Sequence, residues 1–170
     1  MTDQELKDLV ASLAEDRKET DRMIKELTRR MGGIDENQGN HAEQYFQNIL
    51  REKLTFCGQK YDRMIANMEC SSKNGPALIE FDIILVNGKS VAIIEVKNRI
   101  HPSFVKEFAE KRLPKFREFW PEFSKHKAYL GIAGFSFNQK VVEEAKKYGI
   151  CVLRQVGDSI EIEANNLRVY

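Results

Sequence analysis

The sequence predicts a mixed α/β fold, a β-sheet covered by helices and preceded by a helical arm. Three observations predict it. Two nearly continuous β-branched runs, residues 78–86 and 90–96, flank Asn87-Gly88, which is the pattern of a hairpin buried on both faces. Apolar residues recur at helical spacing in separate segments between such runs. Residues 6–31 carry apolar positions at alternating steps of four and three, the period of a coiled-coil seam.

A chain of 170 residues, 42% apolar and 31% charged, suits one globular domain with an extension. Lys and Arg number 27 against 26 Asp and Glu, a net of +1, so no global field attracts a polyanion. Residues 1–37 hold 7 basic and 10 acidic side chains, which excludes a basic nucleic-acid-binding tail. The bias reverses over residues 97–127, with 9 basic against 4 acidic, and a polyanion would sit there. No apolar run approaches the roughly 20 residues of a membrane helix, and no membrane partner is expected. Cys57, Cys70 and Cys151 are odd in number, distant and never in a C-x-x-C pair, so neither a disulfide framework nor a thiolate zinc site is expected. A cytoplasmic location follows as an expectation.

In chain order, the seam comprises Leu6, Val10, Leu13, Arg17, Thr20, Ile24, Leu27 and Met31. Two of these are polar, so packing on the same chain competes with pairing to a second chain. Met31-Gly32-Gly33 through Gln38-Gly39 reads as a helix stop and linker. This divides the chain into an arm with linker, 1–38, and a domain, 39–170.

Within the domain, Ala42, Phe46, Ile49, Leu50 and Leu54 predict a helix over 40–57 with one buried stripe. A strand is expected within 60–70, then the 78–86 and 90–96 hairpin. Pro102 opens a helix carrying Val105, Phe108, Leu113, Phe116 and Trp120, which Pro114 should kink or restart. A strand at 128–133 leads to a helix over 138–148 capped by Gly149, then to short strands at 150–154 and 159–163 turning at Gly157-Asp158. The order αβββαβαββ describes a mixed sheet between helices.

Charge inside apolar strands costs several kcal/mol unless compensated, yet Glu80, Asp82, Glu95 and Lys97 sit in these two runs. A two-residue Asn87-Gly88 loop would place Asp82 opposite Ile93 and Glu80 opposite Glu95. Side chains of direct partners share a face, so all four charged groups should emerge on one side, Asp82 and Glu95 as diagonal neighbours with Cα atoms roughly 7–8 Å apart. Three carboxylates and one ammonium suit a hard divalent cation, Mg²⁺ or Mn²⁺, with an open coordination face. The competing structural explanation is a buried ion-pair cluster.

Asp82 followed by Glu95-Val96-Lys97, after a helix carrying Glu43, resembles the PD-(D/E)XK nuclease superfamily, the restriction-endonuclease-like fold. The stretches Gly39-Asn40-His41-Ala42-Glu43, Glu80-Phe81-Asp82 and Gly131-Ile132-Ala133-Gly134-Phe135-Ser136-Phe137 make it similar to uncharacterised prokaryotic members that join a coiled-coil arm to a compact domain. The resemblance spans roughly 39–163. It implies metal-dependent hydrolysis of nucleic acid, with DNA the expected substrate. Asp82, Glu95 and the Val96 carbonyl would hold Mg²⁺ or Mn²⁺, Lys97 would hold the attacking water or the scissile phosphate, and Glu43 would hold a water on the metal or a second ion. Phe81 replaces the proline that names the family, and Glu80 is an auxiliary carboxylate outside the signature.

Two alternatives stay open. Asn40 and Glu43 also fit a helix N-cap box. Arg99, Lys106, Lys111 and Lys115 are candidate nucleic-acid contacts, but the 106–117 basic residues, Arg112 and Arg117 among them, also fit a solvated helix face, with Phe108, Phe116 and Trp120 as core. His41, His101 and His126 show no zinc-ligand spacing. The rival to an enzyme is an inactive module of the same fold used for binding or assembly, with the arm as an oligomerising or partner-docking helix.

Overall fold

The computed structural model describes residues 2–71, 73, 77–164 and 166–170, with backbone alone at 25–38, 77 and 78. The chain divides into two compact units, Met1–Gln38 and Gly39–Tyr170. Helix α1 is assigned from Asp3–Lys53, so the stop expected at Gly32-Gly33 is absent from the backbone. Glycine in a helix costs about 1 kcal/mol relative to alanine, and that cost does not forbid a helix supported on both sides. The helix also ends earlier than position 57: Leu54 adopts a left-handed φ of 46° and breaks it.

After a small hairpin, β1 (Thr55–Phe56) with β2 (Gln59–Lys60), the second unit is a six-stranded sheet. Its strands are β3 (Arg63–Ser71), β4 (Ala77–Val86), β5 (Ser90–Val96), β6 (Lys127–Gly134), β7 (Cys151–Val156) and β8 (Ser159–Glu163), in spatial order β3-β4-β5-β6-β7-β8. The pairs β3–β4, β4–β5 and β7–β8 are antiparallel, while β5–β6 and β6–β7 are parallel. The sheet is therefore mixed, and the expected element order is present.

Helices cover both faces, which explains why β5 is buried throughout. On one face the α1 residues Ala42, Phe46 and Leu50 pack on Ile83, Leu85, Ile94 and Val96. On the other lie α2 (Pro102–Glu107), a π-helical segment (Phe108–Arg112), α3 (Leu113–Phe119) and α4 (Gln139–Tyr148). Val105, Phe108, Leu113, Phe116, Val141 and Ala145 pack there on Phe81, Ile84, Ile93 and Leu130. Pro114 falls directly after the π-helical segment, in the first turn of α3, and the helical run from 102 to 119 continues through it without a restart. Asn138 caps α4 through Lys140 N, and Gly149, at φ 62°, closes it in the left-handed region.

The hairpin register differs from expectation. Val86 pairs with Val91 and Ile83 with Ile94, so the turn is centred on Gly88-Lys89 rather than Asn87-Gly88. The Asn87 side chain explains the shift: its Oδ1 accepts Lys89 N at 2.9 Å and Ser90 N at 2.7 Å, closing the turn from its first position. Cys57 and Cys151, 94 residues apart in sequence, meet sulfur to sulfur, although the cysteine count and spacing lead to no expectation of a disulfide. Their Cα atoms are 7.5 Å apart. Among the described residues no helix is long and apolar enough to cross a membrane.

Candidate active site

Strand alternation fails beside Asp82. Phe81 and Ile84, three residues apart, join the same core cluster, while Ile83 joins the opposite one. The partner strand β3 switches in step, since Ile65 and Met68 both pack on the first cluster. Between them Asn67 sits at φ 50°, and the ladder passes from the Ala66–Ile83 pair to the Met68–Phe81 pair. Asparagine tolerates this conformation better than most residues. The expectation that Glu80, Asp82, Glu95 and Lys97 share one face by simple alternation is thus corrected.

Asp82 is 6% exposed, and its Oδ2 accepts the Val96 backbone N–H at 2.7 Å. The β4–β5 pairing ends at Ile83–Ile94, so the carboxylate occupies the place of the next ladder bond and meets β5 where the strands separate. Glu95 is 1% exposed. Its Oε1 accepts Arg112 Nη2 at 2.7 Å, and the same nitrogen donates to the Glu80 carbonyl at 2.6 Å. Lys97 Nζ lies 3.7 Å from Asp82 Oδ2 and 3.6 Å from Glu95 Oε2, so one ammonium gathers both carboxylates.

Glu95 Oε2 is buried without a hydrogen-bond partner. An unsatisfied buried carboxylate oxygen costs free energy, and it fits a cation ligand. Burial, then repulsion from Asp82, push the Glu95 carboxyl up to about 7, against the pull of Arg112 and Lys97. Among the described residues no three His, Cys, Asp or Glu gather into a metal-holding group. Mg²⁺ commonly uses one or two carboxylates and keeps several waters, and Asp82 with Glu95 supplies that number.

Glu43 is half-buried on α1, and its carboxyl is raised above the ordinary range by burial, then by Asp82, with Glu80 adding and Lys97 opposing. It therefore belongs to the same charge cluster. The N-cap alternative falls away, because position 40 lies inside α1 rather than at its start. Glu80 is exposed and reaches the cluster through Asn67, whose Nδ2 donates to it at 3.2 Å while Gln47 donates to Asn67 at 3.1 Å. Val96 is 3% exposed. Arg99 is exposed just beyond Lys97. Lys106, Lys111 and Lys115 are exposed on the outer helices, with Lys106 paired to Glu110 at 3.9 Å; among the described residues, the ion-pair partners of Asp82 and Glu95 are Lys97 and Arg112 instead.

Arg112 is the site residue the sequence concealed. It sits at the end of the π-helical segment, with its guanidinium 4.8 Å from the centroid of the fully buried Phe81 ring. Its sequence signal was only one basic residue within a basic, amphipathic stretch. The π turn, which inserts a residue into the helical ladder, has no comparable signature. Asn67 lay in a stretch without pattern and gave no signal either.

The chain belongs to the family described as Domain of unknown function (DUF8196), whose model matches residues 40–162. No curated protein matches it.

Proposed function

We propose that this DUF8196 domain is a Mg²⁺- or Mn²⁺-dependent nuclease of the restriction-endonuclease-like fold, hydrolysing phosphodiester bonds in nucleic acid, DNA foremost. The observation that carries the reading is the buried Oε2 of Glu95, which accepts no hydrogen bond and lies beside Asp82 with the Lys97 ammonium 3.6 Å away. Asp82, Glu95 and the Val96 carbonyl would hold the ion. Such an ion, when bound, polarises the phosphodiester and acidifies water.

The chain's own groups supply the rest. Lys97, 42% exposed at its side chain, is open to substrate and offers a positive charge to the phosphate in the transition state. Glu43, whose carboxyl is raised by burial and then by Asp82, would orient water or take its proton. Arg112 fixes Glu95 Oε1, which directs Oε2 to the ion. Arg99, Lys106, Lys111 and Lys115 are exposed and would meet phosphates along the strand, giving salt-sensitive affinity. A cytoplasmic location accords with such a substrate.

The test is a plasmid-nicking assay in Mn²⁺ or Mg²⁺ with Lys97→Ala beside the wild type, together with thermal unfolding. Millimolar metal should raise the melting temperature, Asp82→Asn and Glu95→Gln should abolish the shift, and Lys97→Ala should lose nicking. Absence of both shift and nicking would transfer the assignment to the inactive binding or assembly module.

A further inference from the structure

Among the described residues of the N-terminal unit, large apolar side chains lie exposed. Leu6, Leu9, Val10, Leu13, Met23 and Ile24 are each 47–59% exposed. In heptad terms Val10, Arg17, Ile24 and Met31 occupy position a, and Leu6, Leu13, Thr20 and Leu27 position d. The side chains of Leu27 and Met31 lie outside the described residues; their places in the seam follow from sequence alone.

We propose that this helix pairs antiparallel with the same helix of a second copy of the chain. The seam reads alike in both directions. With Arg17 set against the partner's Thr20, Leu13 meets the partner's Ile24, Val10 the partner's Leu27 and Leu6 the partner's Met31. Every layer then joins an a residue to a d residue, as two antiparallel helices require, and the polar positions fall together at the centre. Each apolar end of one helix covers the opposite apolar end of the other.

Charge selects the orientation. Residues 2–16 contain Asp3, Glu5, Asp8, Glu15 and Asp16 against the single base Lys7. Residues 17–31 contain Arg17, Lys18, Arg22, Lys25, Arg29 and Arg30 against Glu19, Asp21 and Glu26. Antiparallel pairing lays the acidic half of each helix along the basic half of the other. Parallel pairing would bury Arg17 against its own copy and set Asp16, at g, beside Asp21, at e. The β-branched Val10 and Ile24 at a, with Leu at d, favour the parallel form in neutral seams. Here the central like-charge contacts outweigh that preference, because a desolvated Arg–Arg layer has no compensating acid within the seam.

The test uses the full chain. Light scattering after size exclusion should give a dimer at micromolar concentration, and Leu13→Asp should return it to monomer while the thermal transition of the sheet domain is retained. Orientation is read from Leu13→Cys and Ile24→Cys proteins, oxidised alone and as a mixture, with linked peptides identified by mass. The mixture should yield the 13–24 link, and neither protein alone should yield 13–13 or 24–24. A monomeric wild type, a Leu13→Asp dimer, or a 13–13 link would each overturn the proposal.

Discussion

Arg112 Nη2 bridges the Glu95 carboxylate at 2.7 Å and the Glu80 carbonyl at 2.6 Å, tying a π-helical turn to two strands where their ladder ends. Removing it leaves a buried carboxylate with only the more distant Lys97. Breaking a buried pair commonly costs about 3–5 kcal/mol. Here the guanidinium is 22% exposed and Glu95 can escape by taking a proton, so Arg112→Ala should cost about 2–3 kcal/mol near pH 8 and less near pH 5. Urea unfolding at the two pH values measures this, and an equal loss at both would contradict it. Arg112→Lys keeps the charge without the forked geometry and should recover part of the loss.

Glu95 also sets a pH dependence. Burial first, then Asp82, raise its carboxyl from 4.5 to about 7, so the folded chain binds this proton more tightly than the unfolded chain. The sign follows from that difference: the contribution to stability is full below about 4.5, declines as pH rises and is lost above about 7. Glu95→Gln removes this term. The stability difference, wild type minus Glu95→Gln, should therefore fall between pH 4.5 and 7 in metal-free buffer. Chemical denaturation of both proteins across that window decides it, and a flat or rising difference would refute the assignment.

How much of this was legible in the sequence differs by residue. Asp82, Glu95 and Lys97 announced themselves because charge in a β-branched run needs a reason, and the structure brings all three within ion-pair distance. The helices over both sheet faces followed from the same runs. The details around the site were not legible: the turn register is shifted, Asn67 is left-handed, and the Asp82 carboxylate accepts the Val96 N–H where the ladder ends. Turn register was misplaced because an asparagine side chain can close a turn from outside its two central residues. The sulfur contact between Cys57 and Cys151 is a product of topology, which spacing in the chain does not encode.

Asn40 and Glu43 separate the two explanations offered for this segment. Were Asn40 an N-cap, Asn40→Ala would cost about 1 kcal/mol. Inside a continuous α1 it should change stability by under about 0.5 kcal/mol, as ordinary surface substitutions do. Glu43→Gln should leave the metal-free protein as stable as the wild type or more so, since the burial of a charge and its repulsion from Asp82 outweigh the attraction of Lys97 that is lost with them. The same substitution should reduce the rise in melting temperature produced by Mn²⁺. A large loss from Asn40→Ala would restore the capping account.

Gly134 tests how the Lys97 backbone is held. Lys97 N donates to Ala133 O at 3.0 Å, and the next residue on β6 passes so close that an added Cβ would lie 2.7 Å from the Lys97 carbonyl oxygen and 3.3 Å from the Phe137 ring. The near group is backbone, so no rotamer change relieves the overlap. Gly134→Ala must push the turn after β5 outward or distort β6, costing about 1–3 kcal/mol by the usual penalty for overpacking. Lys97 Nζ would leave its present distances to Asp82 and Glu95 with it. The variant should therefore unfold at a lower temperature and, if it cuts nucleic acid, cut more slowly than its stability loss alone explains. Thermal unfolding and nicking measured on the same preparation, well below the transition, separate the two effects. Unchanged stability and unchanged cleavage together would show that β6 does not position this lysine.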